Sequence, residues 1–174
     1  MRIVSGKYKG KRITAPENLP VRPTTDRAKE ALFSILDSRY YFDRKNVLDL
    51  FSGTGNIAFE FSSRGAEHIT TVDSNNNCIN FIKKTSSDLE LNITSLQSDC
   101  IKYLESCEKQ FNIIFADPPY NFEEHQKIKE IIFERNLVKK DGCLIIEHDS
   151  STFFEDDNME VRKYGTVHFS IFSF

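Results

Sequence analysis

Hydrophobic positions along the chain fall first into a short extended pair, then into one helix, and after residue 45 into a strand-and-helix alternation. Arg2-Ile3-Val4-Ser5 and Lys11-Arg12-Ile13-Thr14, separated by a turn-prone stretch with Gly6 and Gly10, predict a β-hairpin. Pro16, Pro20 and Pro23 interrupt any regular element, so residues 15–24 read as a loop. From Asp26 onward Ala28, Ala31, Leu32, Ile35 and Leu36 recur at helical spacing, with Thr24 or Thr25 available as an N-cap. That places Arg22, Thr24 and Arg27 around a helix start. Strands are then predicted at 46–50, 68–72, 93–96, 111–116 and 143–147, and helices near 56–64, 76–90, 100–106 and 123–136. Repeated βα units imply a mostly parallel sheet covered on both faces. Residues 160–164 and 166–172 read as a terminal antiparallel pair around Gly165.

Composition narrows the class. The 174 residues, 39% hydrophobic and 28% charged, suit one soluble α/β domain over 1–174, with 1–24 as its N-terminal extension. No apolar run is long enough to span a membrane and the N-terminus carries no apolar signal segment, so a cytoplasmic monomer with no membrane partner is expected. Cys78, Cys100, Cys107 and Cys143 match no compact metal-binding spacing and are too few for a secreted disulfide framework. Reduced thiols and no metal are expected. The formal net charge of -3 hides an asymmetry: residues 1–30 hold eight Lys or Arg against three acids, and the remainder holds fifteen against twenty-three. Such a basic front is either a solvated surface hairpin or a footprint for a polyanion.

The candidate chemistry sits at strand ends. Asp49-Leu50-Phe51-Ser52-Gly53-Thr54-Gly55 follows the first βα strand, where Gly53 and Gly55 let the backbone turn tightly and give a ligand close access. Asp49 is then either an acceptor for a cationic amine or a simple cap. Asp73 ends the next strand, where an acid can accept both ribose hydroxyls. Asp99 follows the third strand and either reaches an adenine amine or caps the helix that starts near Cys100. Gly53 to Ala58 also fits a nicotinamide fingerprint, but the chain offers no second βαβ half, so S-adenosylmethionine is the better match. Asp117-Pro118-Pro119-Tyr120 follows the apolar strand 111–116. Its prolines restrict the turn and leave carbonyls free, Asp117 and the Pro118 carbonyl can accept both protons of an exocyclic amine, and Tyr120 offers a flat face to a base.

With these motifs the chain resembles the bacterial methyltransferases that modify guanine N2 in 16S ribosomal RNA, of the guanine-966 type. The likeness spans nearly the whole chain, through residues 2–10, Arg22-Pro23-Thr24-Thr25-Asp26-Arg27, Asp49 to Gly55, Asp117 to Tyr120, and Arg162-Lys163-Tyr164-Gly165. Asp-Pro-Pro-Tyr alone marks amine methyltransferases broadly, and the Arg-Pro-Thr-Thr-Asp-Arg segment narrows the choice. The resemblance implies a seven-stranded, mostly parallel Rossmann-like class I methyltransferase sheet with an antiparallel C-terminal strand and an N-terminal β-hairpin extension. It implies that Asp49, Phe51, Gly53 and Gly55 surround the methionine part of S-adenosylmethionine, Asp73 the ribose and Asp99 the adenine, with Cys100 at the cofactor edge. Asp117, Pro118 and Tyr120 would hold the guanine, with Pro119 beside it. Arg22, Thr24, Arg27, Lys7, Lys9, Lys11 and Arg12 would meet the RNA, free or within a small-subunit particle. Asp73 departs from the glutamate of the commonest family form, as Ser52 and Thr54 do from Ala and Ser, and the shorter acid still suits a diol.

Four alternatives carry other chemistry: another RNA or DNA base amine, a glutamine side chain, a small molecule, and a noncatalytic RNA-binding assembly factor. His125 and His148 read as surface residues, with a pocket-wall role open to His148.

Overall fold

The computed structural model describes residues 1–16, 19, 26–119 and 121–174. Five βα steps build the chain: α1 (Asp26–Asp37), β1 (Asn46–Leu50), α2 (Asn56–Ser63), β2 (His68–Asp73), α3 (Asn76–Asp88), β3 (Ile93–Gln97), α4 (Cys100–Ser106), β4 (Phe111–Ala116), α5 (His125–Glu134) and β5 (Val138–His148). The hairpin β6 (Met159–Tyr164) and β7 (Val167–Ser173) completes one seven-stranded sheet in the order β3-β2-β1-β4-β5-β7-β6. β1 to β5 run parallel, and β7 inserts antiparallel between β5 and β6. This is the class I methyltransferase arrangement.

Alternation along the central strands explains the two-sided core. Val47, Ile113, Phe115, Cys143 and Ile145 turn to the side of α1 and α2, while Leu48, Leu50, Ile114, Leu144 and Ile146 turn to α4 and α5. On the first side Phe33, Phe42 and Phe61 meet edge-on, with Phe33 and Phe61 centroids 4.7 Å apart. No helix among the described residues is long and apolar enough to cross a membrane.

The N-terminal segment departs from the expected pair of regular strands. It forms a single antiparallel bridge, Arg2 to Arg12, with Ile3 N–H donating to Lys11 O and Gly10 N–H to Ile3 O. The reason is a competing acceptor. Glu60, fully buried on α2, takes the N–H groups of Val4 at 2.8 Å and Ser5 at 3.0 Å, so these donors point into the domain rather than across a ladder. Gly6 then passes so close to Ser63 O that a Cβ there would lie 1.8 Å away. Ile3 and Ile13 pack on Phe59 and Ile82, which fixes the hairpin along α2 and α3. β5 also starts five residues earlier than the pattern suggested, because a register irregularity between Phe111 and Ile113 lets Val138 pair with β4 before Cys143 does.

Candidate active site

Parallel pairing brings the C-terminal ends of β1, β2, β4 and β5 to one edge, where ligands bind in open α/β sheets. The β1 end turns within five residues: Phe51, Gly53 and Gly55 all have positive φ, and Gly55 N–H closes the turn on Ser52 O at 2.7 Å. Phe51 is a bulky residue in this region, and its ring is held against Phe122 at 5.1 Å. Gly53 lines the cavity, whereas Gly55 serves packing: a Cβ there would lie 2.9 Å from Ile82 and 3.1 Å from the Phe59 ring.

Asp73 fastens this loop. Its Oδ2 accepts from Gly53 N–H and its Oδ1 from Asn75 N–H, both at 2.8 Å. Each carboxylate oxygen has two lone-pair sites, so acceptor capacity remains for two hydroxyls. Ser52 N–H bonds Val72 O at 3.1 Å, and Asp117 N–H reaches Leu50 O at 3.4 Å, tying the three strand ends together.

The resulting cavity holds about 650 Å³ and is lined by Asp49, Phe51, Gly53, Asp73, Asp117, Pro118, Pro119 and Arg27 among the anticipated residues. That volume suits a ligand of cofactor size. Asp49 is 1% exposed and its Oδ2 has no hydrogen-bond partner among the described residues. Burial, then the neighbouring Asp117 and Asp73 charges, push its carboxyl well above the usual range. Burial raises Asp117 to about 6. Glu147, at the end of β5, is raised to about 8 by burial and then by the Asp117 charge, and its Oε2 is also unpartnered. Five acids, Asp49, Asp73, Asp117, Glu147 and Asp149, therefore line one cavity with only Arg27 as a fixed cation among its described lining residues. Such a site calls for a ligand with positive charge or several donors. An S-adenosylmethionine ammonium fits the orphan oxygen of Asp49, and its ribose fits the spare acceptors of Asp73. Among the described residues, no His, Cys, Asp and Glu side chains form a group that could hold a metal ion.

Several anticipated residues lie elsewhere. Asp99 is exposed, outside the cavity lining, and caps α4 by accepting from Lys102 N–H at 3.0 Å. Cys100 is buried in the core against α5, and desolvation pushes its thiol up. Lys7, Lys9, Lys11 and Arg12 are exposed on the hairpin and do not line the cavity. Lys7 N–H bonds Ser63 O at 2.7 Å, at the far end of the helix whose first residue, Asn56, lines the cavity. Those ends are roughly 10 Å apart along α2. Arg22, Thr24 and Tyr120 lie outside the described residues.

Both histidines expected at the surface are buried in the cavity wall. His148 is 7% exposed because β5 continues to it beside β7, where its Nε2 lies 2.8 Å from Ser170 Oγ and its Nδ1 2.7 Å from Asp149 O. His125 is 8% exposed and packs on Phe122. Burial lowers both imidazoles below their ordinary value. Glu147, Tyr164 and Thr166, not among the anticipated site residues, line the same cavity. In sequence Glu147 stands out only as an acid near the end of an apolar strand, and the fold supplies its place beside β4 and Asp117.

The family model described as conserved hypothetical protein 95 matches residues 1–173. Putative rRNA methyltransferase YlbH of Bacillus subtilis is 35% identical over 154 residues, 86% of this chain and 83% of that protein. Ribosomal RNA small subunit methyltransferase D of Buchnera aphidicola is 30% identical over 152 residues, 87% of this chain and 77% of that one. The solved structure of putative methyltransferase yhhF from Escherichia coli superimposes with a TM-score of 0.87 over 99% of this chain and 97% of that one, at 22% identity, which establishes the shared fold.

Proposed function

The chain belongs to the conserved hypothetical protein 95 family of bacterial ribosomal RNA methyltransferases, and from that premise we propose that it transfers a methyl group from S-adenosylmethionine to the exocyclic N2 amine of a guanine in 16S ribosomal RNA, at the guanine-966 type of site. One observation carries the reading: Asp117-Pro118-Pro119 stands on the rim of the same 650 Å³ cavity that holds the orphan oxygen of Asp49 and the Asp73-anchored glycine loop.

When bound, S-adenosylmethionine supplies an electrophilic methyl on a sulfonium. The chain's residues supply orientation. A guanine N2 lone pair is delocalised into the ring, so the amine is a poor nucleophile until its protons are engaged. Asp117 and the Pro118 carbonyl accept those protons and favour a geometry in which the lone pair faces the methyl donor. The raised Asp117 carboxyl is a better proton acceptor than an ordinary aspartate, and at neutral pH it is mostly ionised. Tyr120, by its place in the motif, is assigned the base plane. A paired guanine must leave its stack to enter, and a loop guanine enters at less cost. Arg27, exposed at the cavity rim, is assigned to phosphate.

Mass analysis of small-subunit RNA from matched deletion and complemented cells tests the reading. A guanine N2-methyl group present only on complementation supports it. Unchanged RNA favours an assembly factor, and a methyl on another atom moves the target.

A further inference from the structure

Of the cavity acids that the proposed reaction leaves without a task, Glu147 is the one with a buried, unpartnered oxygen, whereas Asp149 Oδ1 accepts from Ser151. β4 and β5 pair in parallel up to Ala116 opposite Ile146, so Asp117 and Glu147 are the next residues on neighbouring strands. Ile145 and Phe115 pack toward α1 and α2, and period-two alternation puts Glu147 and Asp117 on that same side of the sheet. Neighbouring strands lie about 4.8 Å apart, so the two carboxyls are set side by side on the cavity wall. Both residues line the cavity, and Glu147 Oε2 is buried with no hydrogen-bond partner among the described residues. A buried polar oxygen left unpaired in a folded protein requires a reason. An incoming donor supplies one.

Guanine presents two adjacent donors on its Watson–Crick edge, the ring N1–H and the exocyclic N2 amine. Adenine presents a bare ring N1 beside its amine. Resting on the guanine reading above, we propose that Glu147 accepts the N1–H of the target base while Asp117 accepts from the amine, so that this pair of neighbouring acids selects guanine. With Glu147 ionised, a base whose N1 carries a lone pair meets a carboxylate oxygen, and both acceptors are left unpaired. Sites built to bond a substrate donor reject analogues that lack it far more strongly than sites selecting by size. The charge of Asp117 beside Glu147 adds to the demand for donors, and burial first, then that charge, makes Glu147 hold its proton in the ligand-free site more firmly than an ordinary glutamate.

Single-turnover transfer at pH 8.5, where Glu147 is mostly ionised, to small-subunit RNA carrying either guanine or 2-aminopurine at the target nucleotide tests this. 2-Aminopurine keeps the amine and lacks the N1–H. The parent protein is expected to favour guanine by about tenfold or more. Glu147→Gln should narrow that preference to about threefold or less, because an amide can turn its oxygen toward N1–H or its NH2 toward a bare N1. A change in this ratio is not produced by a merely structural residue. If Glu147→Gln retains the parental ratio, the assignment is overturned. A parental ratio near one overturns it without any variant. Should Glu147→Gln fail to fold, Glu147→Asp, whose carboxyl is withdrawn by one methylene, must shrink the ratio or the assignment falls. Transfer to guanine RNA by the parent is the reference. Its absence removes the methyltransferase reading itself, and the role of Glu147 with it.

Discussion

At the end of β4, Asp117 is buried enough to hold its proton up to about pH 6 yet lines an open cavity. Asp117→Ala should leave cofactor affinity intact and slow single-turnover methyl transfer by roughly 100-fold or more, about 3 kcal/mol. Labelled-cofactor transfer at saturating RNA checks this, and a parental rate would remove Asp117 from the mechanism. A protonated Asp117 is a weaker acceptor for the amine hydrogen and can take no proton from it, so the parental rate should fall as pH drops through about 6. Glu147 gives a stability prediction of definite sign. Its folded-state value of about 8 lies above the ordinary 4.5. The stability linked to it is therefore fully present below about pH 4.5 and is lost as pH rises through about 8. Asp117 just after β4, Asp49 on β1, Asp73 on β2, His148 on β5 with Asp149 just after it, His125 on α5 and Arg27 on α1 face the same cavity. Ligand-free Glu147→Gln should melt a few degrees above the parent at pH 9, corresponding to about 1 kcal/mol or more. Equal melting curves at pH 5 and pH 9 would contradict the raised carboxyl.

At the scale of elements, the glycine loop and the hairpin are each held by one acid. Asp73→Ala removes the acceptor for Gly53 and Asn75 N–H together with the proposed ribose contact. Calorimetric titration should show S-adenosylmethionine affinity reduced by about 10- to 150-fold, or 1.5 to 3 kcal/mol, and equal affinity would sink the assignment. Glu60 does more for the fold: besides Val4 and Ser5 N–H, it pairs with buried Lys29 at 3.4 Å and with Arg64 at 2.8 Å. Lys29 in turn donates to Arg2 O and to Asn56 Oδ1. Glu60→Ala should cost about 3 to 5 kcal/mol in denaturant unfolding and speed tryptic cleavage at Lys7 and Lys9. Local pattern made β1, β2 and β4 readable, because each is a short, mostly buried run with an acid, Asp49, Asp73 or Asp117, at or beside its C-terminal end. It overstated the regularity of the hairpin because Glu60, 55 residues beyond Ser5, supplies the competing acceptor. Glu147 and the two histidines were hidden for a related reason. Which strand-end residues face the cavity depends on β5 lying beside β4 and on β7 covering its other edge, neither of which appears in a local window.

Across the whole molecule, acids concentrate inside the cavity and bases on the surface beside it. Arg2 is engaged by Asp26 at 3.5 Å and Glu30 at 3.2 Å, so it is partly neutralised, whereas Arg27 stands exposed at the rim. Lys7, Lys9, Lys11 and Arg12 extend the basic surface along the hairpin, away from the cavity. This arrangement separates two tasks. On the proposed function the base enters an acidic pocket that wants donors and the RNA backbone meets cations outside it, so the rim cation should matter more to productive docking than the distant tip. Changing Arg22 and Arg27 together to Gln should therefore weaken small-subunit RNA binding, leave S-adenosylmethionine affinity unchanged, and flatten the slope of log affinity against log salt by about one to two units, since each lost phosphate contact removes roughly 0.7 to 0.9. Changing Lys7 and Lys9 to Gln should flatten the slope only if the RNA also runs along the hairpin. Filter binding across salt concentrations separates these cases: an unchanged slope in the arginine double variant would reject the rim as the phosphate contact, and a simultaneous loss of cofactor binding would show that Arg27 supports the pocket instead.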